Sequence, residues 1–372
     1  MLFFIAVALL MCSYLLYPLV IWQLGTRFPA CSSARREQDR WEWPMLSVLL
    51  AAYNEEDAIA DRIRNFLDCV YPGKCEMVIV SDGSSDRTAQ IARTFVSDRV
   101  VLIEAQERSG KGAAIDLAAR TARGEILIFT DANSFFERNA LTALARPFAN
   151  PDVGLVTGCT HYPARTIASA YQRYEQMLKR FESLSGVVAT ADGAIYAMRR
   201  SLWRSHDPAL INDFLHPILA ALGGKWALIA SDAICHEQFT IANEFGRQVR
   251  MVSQASYVYV RYLPQLLRAR RWRSVLVLTS HKLLRWLTAP LLAIAVAATL
   301  LLAHSAGIYR VALGAEALLA ALAIFGAIAQ RLGLDERAGF VWQFVALNCA
   351  CAVGLWRGLV GNVPVVWRPR QL

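Results

Sequence analysis

Residues 126–136 read ILIFTDANSFF, a run of apolar residues driven into Asp131 and, two positions on, into Asn133. An acid and an amide at the end of a hydrophobic strand can do one of two things. They can cap a following helix by accepting its free N–H groups, or they can hold a cation through oxygen ligands. Three more polar clusters follow apolar runs or open helices nearby: YNEE at 53–56, SDGSSD at 81–86 and ERSGKG at 107–112. Taken singly, Asn54, Ser85 and Ser134 are plain helix caps. Taken together, the clusters suit a polar site of nucleotide size, provided the fold gathers them on one edge.

The elements around them predict such a fold. LSVLLAA (46–52), MVIVS (77–81), VVLIEA (100–105) and EILIFTD (125–131) are short, apolar and bounded by polar turns, as buried strands are. Between them Ile59, Ile63, Phe66, Leu67 and Val70 recur at helical spacing, with YPG at 71–73 as the stop. Further helices are expected near 86–96 and 111–122. Strand–helix alternation predicts a parallel sheet with helices on both faces. Open parallel sheets bind ligands beyond the carboxyl ends of their strands, where all four clusters would fall.

The whole chain is too apolar for this domain alone. Its 372 residues are 55% hydrophobic and 19% charged, with mean hydropathy +0.32. Residues 1–26 carry no charged side chain, and further apolar runs lie near 287–303, 311–330 and 339–356. The predicted organisation is an N-terminal membrane anchor (1–26), an α/β domain (44–255), amphipathic interfacial helices (256–286), two or three C-terminal membrane segments (287–360) and a basic tail (361–372). The acid Glu316, inside the second C-terminal run, should face protein. If all three C-terminal runs span, Arg368 and Arg370 end up outside, against their preference for the inside, and charge counting leaves the third run open between a span and an interfacial or re-entrant segment.

The formal net charge of +9 gathers beside the apolar runs, at Arg27, Arg35, Arg36, Arg40 and RARRWR (268–273). That placement marks a cytoplasmic face against anionic headgroups and membrane lipids as partners. No nucleic-acid module is recognisable. Eight cysteines without CxxC or Cys/His spacing fit a reduced compartment without zinc.

The ordered set LLAAYNEEDAI, VSDGSSDRT, GKGAAID, IFTDANS, ADGAIYAMRR and NDF resembles family 2 of the inverting glycosyltransferases, with its GT-A fold. EFGRQVRM and SHKLLRWLTAP extend the resemblance more weakly, to about residue 300. The resemblance implies a nucleotide-diphospho-sugar donor, most plausibly a UDP-sugar, and a divalent cation, Mg²⁺ or Mn²⁺. Tyr53 and Glu55 would line the nucleotide pocket, Asp82 would read the base, and Lys111 and Arg250 would meet the phosphates. Asp131 would hold the metal with Asn133, which stands where a second Asp is common. Asp192 and Gly193 would lie on the acceptor side, and Asp213 would be the base that deprotonates the acceptor hydroxyl. The Gln-x-x-Arg-Trp motif of processive synthases is replaced by RQVRM (247–251), which speaks against processive synthesis. His236 and Glu237 are adjacent and are expected to be structural or acceptor-facing.

By this resemblance the expected setting is a multi-pass protein of the bacterial inner membrane. Its catalytic domain would be cytoplasmic, serve a lipid-linked or glycan acceptor in exopolysaccharide or cell-envelope synthesis, and work with polysaccharide assembly proteins. Two rivals remain. A non-catalytic scaffold would keep the fold, and a nucleotidyltransferase would want a Gly-rich, Arg-containing loop where AAYNEED stands.

Overall fold

The computed structural model describes residues 1–29, 41–161, 167–237, 244–332 and 339–363. Arg35, Arg36, Arg40 and most of the expected basic tail lie outside them. The first helix, α1 (Leu2–Arg27), is unbroken across a π-helical turn at Cys12–Leu16. Pro18 cannot donate to the carbonyl of Tyr14, and the hydroxyl of Tyr174 takes that carbonyl instead, at 3.1 Å.

The α/β domain follows as β1 (Leu46–Ala52), α2 (Ile59–Asp68), β2 (Cys75–Asp82), α3 (Thr88–Arg93), β3 (Val100–Ala105), α4 (Lys111–Thr121) and β4 (Ile126–Thr130). These four strands lie parallel in the order β3-β2-β1-β4. β1, β2 and β4 are buried on both faces, which explains their unbroken apolar sequence. Next come β5 (Ser134–Phe136), α5 (Ala140–Ala145), β6 (Val153–His161), α6 (Ile167–Leu184), β7 (Ile195–Arg199), α7 (Asn212–Leu222) and β8 (Trp226–Glu237). The complete order is β3-β2-β1-β4-β7-β6-β8-β5.

The sheet is mostly parallel, as the GT-A resemblance implies, with β5 and β7 reversed. β7 runs antiparallel to both β4 and β6, and β5 antiparallel to β8. Hydrophobic patterning reports which faces are buried and carries no information on strand direction. The stretch at 126–136 is therefore strand, turn, strand, and Ser134 caps no helix. Its hydroxyl donates to Glu237 Oε1 at 2.5 Å. Asn54 does not cap a helix either. It sits at φ 53°, and its side-chain oxygen accepts from Ser85 N at 2.9 Å, tying the β1 loop to the β2 loop.

The 25-residue helix α8 (Glu244–Arg268) crosses the expected domain boundary at 255/256 without a break. It packs on α12 (Phe340–Leu359), where two glycines let the backbones meet. A Cβ on Gly354 would lie 2.7 Å from the Val249 carbonyl oxygen, and one on Gly358 2.5 Å from that of Ser253. Between these two, α9 (Trp272–Trp286) meets α10 (Thr288–Leu302) at a 57° bend, and α11 (Gly307–Arg331) follows.

Among the described residues three helices, α1, α11 and α12, are long and apolar enough to cross a membrane, and a fourth span exists if α9 and α10 count as one. Of the three C-terminal runs, the first forms the shortest helix, α10, with 15 residues. Glu316 on α11 accepts from the Thr299 hydroxyl of α10 at 2.6 Å, the protein-facing partner expected of an acid in an apolar helix.

Where α1, α6 and α9 meet, a polar network is sealed from solvent. Glu182 and His281 are 0% exposed, and His281 Nδ1 lies 2.5 Å from Glu182 Oε1. Tyr17 donates to the same oxygen at 2.5 Å, and Ala189 N to Oε2 at 2.9 Å. The far side of the His281 ring meets Glu175 Oε2 at 3.0 Å, and Lys282 and Arg285 hold Glu175 as well. Burial opposes the Glu182 charge, yet His281, Tyr17 and Ala189 N keep its carboxyl below the ordinary value.

Candidate active site

Lys111 opens α4 directly after Gly110, whose φ of +95° is open to glycine and strained for other residues. Asp82, at the end of β2, fixes this entry. Its Oδ1 accepts from Ser109 N and Oγ, both at 2.8 Å, and its Oδ2 accepts from Gly110 N at 2.7 Å. Asp82 is 3% exposed, so in this structure the carboxylate expected to read a base braces the loop that aims Lys111. The Lys111 ammonium then donates to Asp131 Oδ1 at the end of β4. Burial works against that charge, but the carboxylates of Asp131 and Asp213 raise it above its ordinary value.

Asp213 stands in the first turn of α7. The chain from Ala189 to Gly193 passes beside it, and Ala191 N donates to the Asp213 carbonyl oxygen at 2.8 Å. A Cβ on Gly193 would lie 3.2 Å from Asp213 Oδ2, so the absent side chain is what opens space beside the carboxylate. Asp213 Oδ1 is buried and accepts no hydrogen bond from the protein. Burial raises this carboxyl above its ordinary value, Lys111 and Lys179 pull it back, and Asp131 and Asp192 add to the rise.

Asp192 has both oxygens engaged: Oδ2 accepts from Thr160 N at 2.9 Å and Oδ1 from Thr160 Oγ1 at 2.7 Å. It shapes the turn that presents Gly193. Tyr53, after β1, carries the Arg108 guanidinium on its ring face, 3.6 Å from the centroid. Glu55 is raised by burial and by Asp131. Arg250 on α8 has a buried Nε without a hydrogen-bond partner. Burial and Arg247 lower its guanidinium, while Asp213 and Asp131 support it.

Of the predicted residues, Glu55, Lys111, Asp213 and Arg250 are thus each within electrostatic reach of Asp131. Asn133 is exposed on the same turn as Asp131. Tyr53 and Asp82 lie on the neighbouring loops at the ends of β1 and β2.

Two further residues join them: Glu237, expected to be structural or acceptor-facing, and Tyr196, which was not singled out by sequence. Glu237, raised by burial and by Asp131 and Asp192, closes the side toward β5. Tyr196 stacks on Phe129 with ring centroids 4.6 Å apart and bonds His216 Nδ1 at 3.1 Å, forming a buried floor near Asp131 and Asp213. His236, by contrast, pairs with Glu137 at 3.1 Å.

Among the described residues no group of three or more His, Cys, Asp or Glu side chains could by itself hold a metal ion. The chemistry of the donor set still fits a divalent cation. Asp131 supplies a carboxylate and Asn133 an amide oxygen, both hard ligands, and the remaining places suit phosphate oxygens or water. The crowd of carboxylates around Asp131, with three carboxyls raised, is what an added positive charge relieves.

Residues 47–205 match the model described as Glycosyl transferase family 2. That segment is a family 2 glycosyltransferase domain. It includes Lys111, Asp131 and Asp192 but ends before Asp213 and Arg250, whose places come from the structure. The chain is 30% identical over 164 residues to the poly-beta-1,6-N-acetyl-D-glucosamine synthases of Staphylococcus epidermidis and of Staphylococcus aureus strain MSSA476. Each match covers 42% of this chain and 40% of the relative, so the match spans well under half the length of either. Over 97% of its length the chain superposes on all of the mannosyltransferase PcManGT from Pyrobaculum calidifontis, solved with GDP-Man and Mn²⁺. The TM-score is 0.68 at 21% identity, a likeness of fold. The family 2 domain thus has a GT-A α/β fold, with apolar helices before and after it.

Proposed function

We propose that the protein is a membrane-anchored inverting glycosyltransferase. It moves a sugar from a nucleotide-diphospho-sugar, preferentially a UDP-sugar, to a hydroxyl of a lipid-linked or polysaccharide acceptor in exopolysaccharide or cell-envelope glycan synthesis. The observation that carries this reading is Asp213: a carboxylate with one buried, unpartnered oxygen, held beside the side-chain-free Gly193 and next to the Lys111–Asp131 pair. A sugar hydroxyl is a weak nucleophile, and a carboxylate within hydrogen-bond reach takes its proton as the new bond forms. Attack at the anomeric carbon in one in-line step inverts its configuration and needs no covalent enzyme intermediate.

Lys111 and Arg250 neutralise charge on the departing diphosphate, the guanidinium fork suiting phosphate oxygens. Asp131 and Asn133 would hold Mg²⁺ or Mn²⁺, which supplies further stabilisation of that leaving group. Tyr53 and Glu55 line the nucleotide side, and Asp82 acts there through the loop it braces. Asp192 acts on the acceptor side by setting the Gly193 turn. With α1, α11 and α12 as membrane spans, the domain works at the cytoplasmic face of a bacterial inner membrane, within reach of such acceptors and of polysaccharide assembly proteins; the length and apolar character of these helices support this reading.

The test is transfer or hydrolysis by the detergent-purified full chain across UDP- and GDP-sugars, with Mn²⁺, Mg²⁺ or EDTA. Metal-dependent release of nucleoside diphosphate, abolished by Asp131→Ala and Asp213→Ala, is the expected result. Absence of binding to every sugar nucleotide overturns the proposal. The GDP-sugar arm matters because the structural neighbour was solved with GDP-Man.

A further inference from the structure

The α8–α9 corner borders an open pocket of about 380 Å³ that none of the candidate active-site residues lines. Its wall includes Lys225, Trp226, Arg270, Arg271, Trp272 and Arg273, and no lining residue is acidic. Arg270 is held in the left-handed region at φ 55°, a conformation uncommon outside glycine, Asn and Asp, and it forms the corner that turns Arg271 and Arg273 toward the same space. Gly224, at φ +74°, lets the Arg271 guanidinium pack directly on the backbone, with Nη2 3.1 Å from where a Cβ would stand. Arg271 Nε is buried and has no hydrogen-bond partner. Arg273 donates to the Ser185 carbonyl oxygen at 3.2 Å, and Lys225 has a distant carboxylate, Asp152, at 3.8 Å. Trp272 stands 60% exposed on the rim.

Four cations around one cavity repel one another, and an unpaired buried N–H is costly, so the arrangement calls for an anion with several acceptor oxygens. Guanidinium forks match phosphate in particular. We infer that this cavity is a phosphate-binding site, separate from the donor site, that takes a phosphate group from an anionic lipid headgroup or from solution. The exposed Trp272 and the apolar helices that follow α9 favour a headgroup, since tryptophan settles at that level of a bilayer. The inference does not depend on the glycosyltransferase reading. Through Ser185, Gly186 and Val187 the occupied cavity would abut the segment that leads to Asp192 and Gly193.

The experiment uses the full chain in two arms. In one, the protein is reconstituted in phosphatidylcholine nanodiscs with or without phosphatidylglycerol, and lipids retained after detergent extraction are counted by native mass spectrometry. In the other, inorganic phosphate is titrated calorimetrically at constant ionic strength. Wild-type protein should retain phosphatidylglycerol over phosphatidylcholine, and the double variant Arg271→Gln/Arg273→Gln should lower that retention by about tenfold or more. Lys225→Gln, which leaves the Arg273–Ser185 bond in place, should lower it less. Arg268→Gln removes the same charge from the end of α8, outside the cavity, and should leave it within about twofold. Binding of inorganic phosphate without lipid preference, lost in the same variants, supports the site and assigns it a soluble source. No binding in either arm, or equal loss in Arg268→Gln, overturns the inference.

Discussion

Two clusters of charge in this molecule use the same residue types to opposite ends. At the junction of α1, α6 and α9, Glu182 and Glu175 are interleaved with His281, Lys282 and Arg285, and each carboxylate is met by partners that hold it below its ordinary value. At the sheet edge, Glu55, Asp131, Asp213 and Glu237 face one another across Lys111 and Arg250, and three of these carboxyls are pushed up. The first cluster satisfies its charges within the fold. The second leaves charge to be satisfied by something that arrives, which is how binding and proton-transfer sites differ from structural ones.

The sharpest way to test this contrast is to neutralise one carboxylate in each cluster. Asp213→Asn should lower kcat by about a thousandfold, within the range for loss of a general base, with unfolding and donor KM little changed. Glu182→Gln should do the reverse. Removing one member of a buried pair costs about 3–5 kcal/mol, read as a lower thermal midpoint in detergent. The acid dependence follows the same sign. Glu182 lies below its unfolded value of about 4.3, so its stabilisation is present above that pH and is lost as pH falls through the folded value.

Smaller changes sharpen the picture of the edge. Gly193→Ala puts a methyl 3.2 Å from Asp213 Oδ2 and should raise acceptor KM by about tenfold, with donor KM unchanged. Equal effects on both substrates would remove Gly193 from the acceptor side. The mildest variant is Lys179→Met. Lys179 pulls the Asp213 carboxyl down, so its loss should move the acid limb of kcat/KM upward in pH. The plateau rate above that limb should stay within about twofold. A limb that stays put would detach Asp213 from the observed titration.

The sequence carried the parallel half of the sheet well, because β1, β2 and β4 are buried on both faces and their composition says so directly. β1 and β3 fall on the expected ranges, 46–52 and 100–105. β5 escaped notice because three residues after a turn hold too little pattern, and the reversed direction of β7 leaves no trace in periodicity. The helix expected near 86–96 is shorter, at Thr88–Arg93, with Asp86 Oδ1 accepting from Thr88 N at 2.9 Å at its start. In the site, Asp131 and Asp213 were legible from the residues and the family resemblance. The bracing of the Lys111 loop by Asp82 was not, since that depends on which loop a strand end meets. Glu237 was legible only as structural or acceptor-facing, and its position beside Ser134 follows from the pairing of β8 with β5.

The unbroken α8 bears on modularity. One end carries Arg250 toward the site, while Val252, Ala255, Val258 and Tyr259 share a single apolar core with Phe214, Leu215 and Ile218 of α7 and with Cys351 and Leu355 of α12. No cut between the catalytic part and the C-terminal helices leaves both pieces with a closed interior. The two halves therefore have to be inherited, expressed and engineered as one body, and a fragment ending near residue 255 should be an aggregating stump in place of a soluble enzyme.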